Sequence, residues 1–303
     1  MPWFHRRSEE EKQDEAAAVA AQQESLEALR RGGIPPSAQR RLDEARAGKG
    51  LFTSDLSVNE FLLARETGFR PLSLVMGSSV YHVGWRYVSN WSGSGELAVV
   101  TQAINDVRSL ALGRLAEEAE RVGADVVLGV RLDSRELEGE RLVEYQAFGT
   151  AARLGLGDPQ GRPALTNLSG QDVWKLLRSG YAPLGVVAGS TVYHAVPSWT
   201  GMRQMSGWGS WYNQELPDFT AGLYQARHLA MSRMHHQAEQ HTEAAGIVGV
   251  SLQQSEEEYE VDLGSGNKRT DMIFTFHVIG TAIAARQEGT PTPPIYATLN
   301  LKP

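Results

Sequence analysis

Eight histidines and no cysteine stand among the 303 residues. Transition-metal chemistry here falls to imidazole and carboxylate, while disulfides, iron–sulfur clusters, thiolate zinc sites and a cysteine nucleophile are excluded. Four histidines, His228, His235, His236 and His241, fall in one stretch of helical pattern. His228 and His235 share a helical face, and His235 with Glu239 is the tight i,i+4 pair of ligand type. Two ligands make an open, weak site without help from another element, and a solvated or interface-facing polar surface accounts for the same spacing. His82 and His194 are a sharper case, because each follows a tyrosine at the end of the same motif. Gly77-Ser78-Ser79-Val80-Tyr81-His82 recurs as Gly189-Ser190-Thr191-Val192-Tyr193-His194. As ligands, equivalent imidazoles brought together by a pseudo-twofold or a ring would share a metal. As structure, they satisfy backbone groups at a strand's exit, the simpler account. His277 sits on the more polar side of the strand Ile273-Thr275-His277, half exposed.

Five of the seven tryptophans occupy two Gly- and Ser-rich stretches: Trp85 and Trp91, then Trp199, Trp208 and Trp211, joined by Tyr87 and Tyr212. Aromatic anchors on adaptable backbone are the composition of binding loops. Packing between repeats or subunits needs the same anchors, and a small-molecule pocket is the third use. Catalytic constellations are missing from the spacing. Gly77-Ser78 and Gly189-Ser190 lack the nucleophile-elbow pattern, no Walker loop occurs, and acids such as Glu117-Glu118 and Glu256-Glu257-Glu258 read as solvated faces. The expectation is a protein that is not an enzyme.

These residues must be held by something, and the repeat says what. Leu56 to His82 laid over Leu168 to His194 without gaps, a displacement of 112 residues, matches at 11 of 27 positions, glycine, proline and aromatic residues included. Arg108-x-Leu110-Ala111-x2-Arg114 echoes in Arg227-x-Leu229-Ala230-x2-Arg233, and Gly149-Thr150-Ala151 in Gly280-Thr281-Ala282. Order is kept, so a whole folding unit was copied; its period is too long for a solenoid and suits two small domains. Each unit opens with a capped helix, Ser57-x-x-Glu60 or Ser169-x-x-Asp172, ending at Gly68 or Gly180. A strand follows, Leu72 to Val83 or Leu184 to Val196, then the Trp-rich loop. A long helix comes next, Leu97 to Val122 or Asp218 to Ala244, and two strands close the unit, Val126 to Leu132 with Leu142 to Leu154, or Ile247 to Leu252 with Met272 to Ala285. Strand, helix, strand, strand folds as a small sheet with the helix across one face, an α+β layer pair. The expected division is 1–50 charged helical arm and linker, 51–155 first domain, 156–166 linker, 167–286 second domain and 287–303 Pro-rich tail.

Bulk properties bound the class. With 41% hydrophobic and 21% charged residues the chain can fill two ordinary cores. A net charge of -7 gives no general attraction for nucleic acid or anionic lipid. Met1 to Glu15 is charged and lacks the apolar stretch of a secretory signal, and no run approaches a membrane span, so a cytoplasmic protein is expected. The Ala-, Gln- and Glu-rich stretch to Arg31 is a helix with few large apolar residues, an arm that faces solvent unless it meets a helical partner.

The passage Ala119-Glu120-Arg121-Val122-Gly123-Ala124-Asp125-Val126-Val127-Leu128-Gly129-Val130 with Gly149-Thr150-Ala151 resembles the signature of YbjQ-like domains, a family labelled for heavy-metal binding. Ala244 to Val250 with Gly280-Thr281-Ala282 resembles it more loosely. The resemblance covers most of residues 70–155 and 182–286. It implies a dodecin-like α+β domain that assembles into a ring-shaped homo-oligomer, and no catalytic residue. Where family members carry a Gly-Gly-Arg-like segment, this chain has Trp91-Ser92-Gly93-Ser94-Gly95-Glu96 and Gly207-Trp208-Gly209-Ser210, without the arginine. The resulting expectation is a non-enzymatic self-assembling or ligand-binding protein. Alternatives are a metal-ion binder using His82, His194, His228, His235 and Glu239 with a divalent transition metal, and a pocket lined by the Trp-rich loops.

Overall fold

The fold comes from a computed structural model that describes residues 9–49, 51–66, 68–83, 93–137, 142–154, 161–206, 211–264 and 268–286. Two helices lead, α1 (Glu9–Arg30) and α2 (Pro36–Arg46). The first copy of the repeat contributes α3 (Val58–Glu66), β1 (Arg70–His82), β2 (Gly95–Glu96), α4 (Ala98–Val122), β3 (Val126–Leu137) and β4 (Leu142–Arg153). After β5 (Ala164–Leu165) the second copy contributes α5 (Gly170–Arg178), β6 (Tyr181–Ala195), α6 (Trp199–Met205), α7 (Pro217–Glu239), β7 (Ala244–Asp262) and β8 (Lys268–Ala285).

Local chemistry sets the helix ends. At α3 the Ser57 hydroxyl accepts from the Glu60 N–H at 3.3 Å and the Glu60 carboxylate accepts from the Ser57 N–H at 2.8 Å, the reciprocal box expected from the spacing. At α5 the Ser169 hydroxyl accepts from the Asp172 N–H. Gly123, at φ 81°, closes α4 in the left-handed conformation that glycine adopts without a Cβ penalty.

Among the described residues the strands form two four-stranded sheets, β1-β4-β3-β5 and β2-β6-β8-β7, in a mixed α+β fold. Helix α4 covers the first sheet, burying Val107, Ala111, Leu115 and Ala119 against Val75, Ala147 and Ala151. Helix α7 does the same for the second, with Ala226, Ala230 and Met234 against Val187, Phe274 and Phe276. The equivalent strands β3 and β7 carry the same bulge, at Gly129 (φ 64°) and Gly249 (φ 63°). Val192 and Ile273 of the second sheet belong to the first sheet's core, so the two cores meet.

Several expectations are corrected. Helix α7 ends at Glu239 rather than near Ala244, which leaves His241 outside it, and β7 continues past Leu252 to Asp262 through cross-strand pairing with β8. Strands β2 and β5, too short to carry a periodic signal, join sheets whose other members belong to the opposite copy. Helix α1 is exposed along nearly its whole length, as its alanine content requires. Helix α2 instead docks on α4: Leu42 is buried, Arg41 pairs with Glu118 at 2.7 Å, and Arg121 grips Asp43 with two hydrogen bonds.

Candidate functional site at the junction of the copies

The amino-terminal half of α4 lies along β6, and the groups buried there are polar. Arg108, 5% exposed, donates from Nη1 to the Ser190 hydroxyl at 2.6 Å and from Nη2 to Asn105 Oδ1 at 2.8 Å and the Ala188 carbonyl at 3.2 Å. Asn105 in turn donates to the Ser190 carbonyl and accepts from the Ser190 N–H. The Thr101 hydroxyl accepts from the Val192 N–H at 2.9 Å. Helix α4 thus supplies donors and acceptors to the stretch of β6 that β2 does not cover, whose backbone groups would otherwise be buried unpaired.

Beyond Ser190 the network reaches both sheets. His277 Nδ1 lies 2.9 Å from the Ser190 hydroxyl and 2.8 Å from the Tyr145 hydroxyl, and the two rings meet edge to face. Burial, aided by the Arg108 cation, pushes the His277 imidazole down to about 4. A neutral ring has one nitrogen that donates and one that accepts, and both hydroxyls beside Nδ1 can take either role. Burial also lowers the Arg108 guanidinium from its ordinary value. A cavity of about 300 Å³ opens over this cluster, lined by Arg108, Tyr145, Asn167, Ser190, Gln253 and His277. Its lining is a guanidinium, hydroxyls, amides and a neutral imidazole, suited to hydrogen bonding a polar or anionic group. Among the described residues no carboxylate joins the Arg108 hydrogen bonds.

Main-chain exchange ties the copies at two further places. Gly95 and Glu96 pair with His194 and Tyr193, the Leu97 N–H donates to the Val192 carbonyl, and Glu96 forms an ion pair of 2.7 Å with Arg233 of α7. On the other side Ala164 and Leu165 pair with Val126 and Val127, and Thr166 and Leu168 accept from Val130 and Gly129. The buried Thr281 hydroxyl then holds this segment through Thr166 and Asn167.

The residues picked out from spacing are placed apart. His194 is fully buried, with Nε2 2.8 Å from Asp271, whose carboxylate also receives two hydrogen bonds from Arg269. His82, its counterpart, is exposed at the end of β1 opposite Leu142. His228, His235 and Glu239 are exposed on α7, and it is His236, not His235, that approaches Glu239, at 3.7 Å. Among the described residues no group of three His, Asp or Glu side chains could hold a metal ion. His194 fits poorly as a ligand, because its Nε2 is committed to a carboxylate that Arg269 already neutralises. Trp199, Trp211 and Tyr212 are exposed, at 73%, 84% and 71%. Buried polar contacts between the copies among the described residues include those of Arg108 and Asn105 with Ser190. Trp85, Tyr87, Trp91 and Trp208 lie outside the described residues. His277 is half-buried, and its partners Arg108 and Tyr145 went unmarked as site residues. The available signal was the duplication itself: Arg108 and Ser190 both sit in copied motifs, but as markers of the repeat.

What the fold and this junction define is a mixed α+β protein whose two four-stranded sheets are joined through short added strands and buried polar contacts, with a small cavity at the junction. Residues 68–155 match the family described as "Putative heavy-metal-binding", YbjQ. Over 229 residues, 73% of this chain and 84% of the relative, the sequence is 42% identical to the encapsulin nanocompartment protein Rv1762c of Mycobacterium tuberculosis. It is 29% identical over 87 residues, 27% of this chain and 81% of the relative, to a UPF0145 protein of Pseudothermotoga lettingae. A UPF0145 protein of Halobacterium salinarum is 43% identical over 60 residues, 20% of this chain and 57% of that one. No solved structure gives a significant match. The chain belongs to the YbjQ-like, UPF0145 family. No helix among the described residues is long and apolar enough to cross a membrane.

Proposed function

We propose that this chain is a non-enzymatic, self-assembling protein, a building unit of a larger homo-oligomer. One observation carries the reading: the same strand is buried in one copy and exposed in the other. In β6, Ala188, Ser190 and Val192 are 3%, 0% and 4% exposed beneath α4. Their counterparts in β1, Met76, Ser78 and Val80, are all exposed, Val80 to 56%. A surface that the fold covers once and leaves open once is a surface for another chain. Similarity to a protein named for an encapsulin nanocompartment supports an assembling role. Light scattering and native mass spectrometry test it: discrete species at multiples of the 33.2 kDa chain are expected, and a monomer at micromolar concentration rejects the reading.

A second use rests on the junction cavity. Its desolvated guanidinium, with hydroxyls and a neutral imidazole beside it, favours a small anionic ligand held between the copies. Calorimetry against a panel of small carboxylates and phosphates checks this, with loss of binding in Arg108→Met.

A further inference from the structure

The contact between the two copies inside one chain is heterologous: different surfaces meet, and each copy carries both. Such a contact leaves one unused surface at each end, and a second chain can satisfy both by the same geometry. We infer that the carboxy-terminal copy of one chain docks on the amino-terminal copy of the next as the first copy docks on the second. This rests on the assembly reading above and names its interface.

The unused surfaces match the used ones at several positions, with Tyr224 standing where the used helix has Asn105. On the donor side, Glu96, Leu97, Thr101 and Arg108 correspond to Glu215, Leu216, Thr220 and Arg227, all displaced by 119 residues. Leu97 and Leu216 precede their helices in similar conformations, φ -83°, ψ 77° and φ -105°, ψ 88°. Glu96 is paired with Arg233, whereas Glu215 is exposed; Arg108 is buried, whereas Arg227 is exposed and lies over Tyr224. On the acceptor side, Arg233 corresponds to Arg114, which donates to the Ser78 and Leu29 carbonyls. A groove of about 970 Å³ runs beside β1 there, lined by Met76, Val80, Tyr81, Leu110 and Leu29.

The second exchange repeats the pattern. In the first sheet β5 covers β3, and Val126, Val127 and Val130 are at most 3% exposed. Among the described residues the equivalent edge of β7 has no strand beside it, and Val250 is 47% exposed. The counterparts of Ala164 and Leu165 are Phe52 and Thr53, an exposed segment whose neighbour Leu51 is 96% exposed. The Asp55 N–H already donates to the Thr150 hydroxyl at 3.0 Å as the Asn167 N–H does to Thr281 at 3.2 Å, so the two segments are anchored alike. Head to tail, Glu215 then meets Arg114 of the next chain, Gln214 pairs with His82, and Phe52-Thr53 pairs with Gly246-Ile247.

A chain without cysteine permits a clean test. Antiparallel partners have Cα separations that accept a disulfide. Gln214→Cys chains mixed with His82→Cys chains should give a covalent dimer on mild oxidation, neither variant should do so alone, and the double variant should give a ladder. Glu215→Arg should weaken association at least tenfold, and Glu215→Arg with Arg114→Glu should recover it. A stable oligomer with no mixed disulfide and no effect of Glu215→Arg overturns this interface while leaving assembly intact. A monomer overturns both. Assembly gained on deleting residues 1–33, with the full chain monomeric, identifies the arm as the occupant of the β1 groove and also overturns it.

Discussion

Gly189 lies against the backbone of α7 at Ala230, so close that a Cβ on the glycine would overlap the Ala230 carbonyl oxygen and stand 3.0 Å from the Met234 nitrogen. Gly77 stands in the same relation to Ala111 of α4. The duplicated motif therefore keeps its glycine because helix and sheet touch there backbone to backbone. Alanines at the crossing permit the approach, and the contact sets the helix's position over each sheet.

Replacing Gly189 with alanine should destabilise the protein by about 2–3 kcal/mol, since neither backbone can yield. Gly185→Ala in the same strand, where an added Cβ meets nothing within 4 Å, is the matched control and should stay within about 0.5 kcal/mol. Urea unfolding compares them.

The two copied histidines should separate sharply. His194→Ala leaves Asp271 buried with only Arg269 and should cost about 3 kcal/mol, whereas exposed His82→Ala should cost under about 0.5 kcal/mol in the dissociated chain. Equal effects in urea unfolding at low protein concentration would contradict the scaffold role assigned to His194.

His277 makes stability depend on pH. Its imidazole is held at about 4 in the fold, below its value of about 6.5 in the unfolded chain, so the unfolded state takes up the proton first. The contribution is complete above pH 6.5 and is lost as pH falls toward 4. It amounts to about 2 kcal/mol, the ring being only partly withdrawn from water. His277→Gln should lose correspondingly less stability than the parent between pH 7 and pH 4.5, measured by urea unfolding.

Glu118 and Gln237 occupy equivalent places, each side chain accepting from the β-strand N–H beneath it, Met76 at 2.9 Å and Ala188 at 2.7 Å. Burial raises the Glu118 carboxyl above its usual range despite the Met76 N–H and Arg41, so the fold favours its protonated form and loses that favour as pH rises. Glu118→Gln keeps the acceptor and removes the buried charge. Its unfolding free energy at pH 7 should stay within about 1 kcal/mol of the parent, and its advantage should shrink below pH 5.

Much of the fold was legible because duplication and local chemistry speak through spacing. The Ser-x-x-Glu cap, the left-handed Gly123 and the strand, helix, strand, strand order need only near neighbours. Strands β2 and β5 were not legible: two residues carry no periodicity, and what makes them strands is a partner in the other copy. The candidate site was hidden for the same reason. Arg108, Tyr145, Ser190 and His277 come from four elements, and nothing in their separations along the chain brings them together.

By itself the sequence determined that one unit was copied, which residues each copy shares, and that cysteine chemistry is absent. Only the tertiary structure decided that identical motifs have different fates, His194 buried and His82 exposed, Ser190 covered and Ser78 open. The reason is physical: a heterologous contact uses one surface of each copy, so residues that are equivalent in sequence cannot be equivalent in environment.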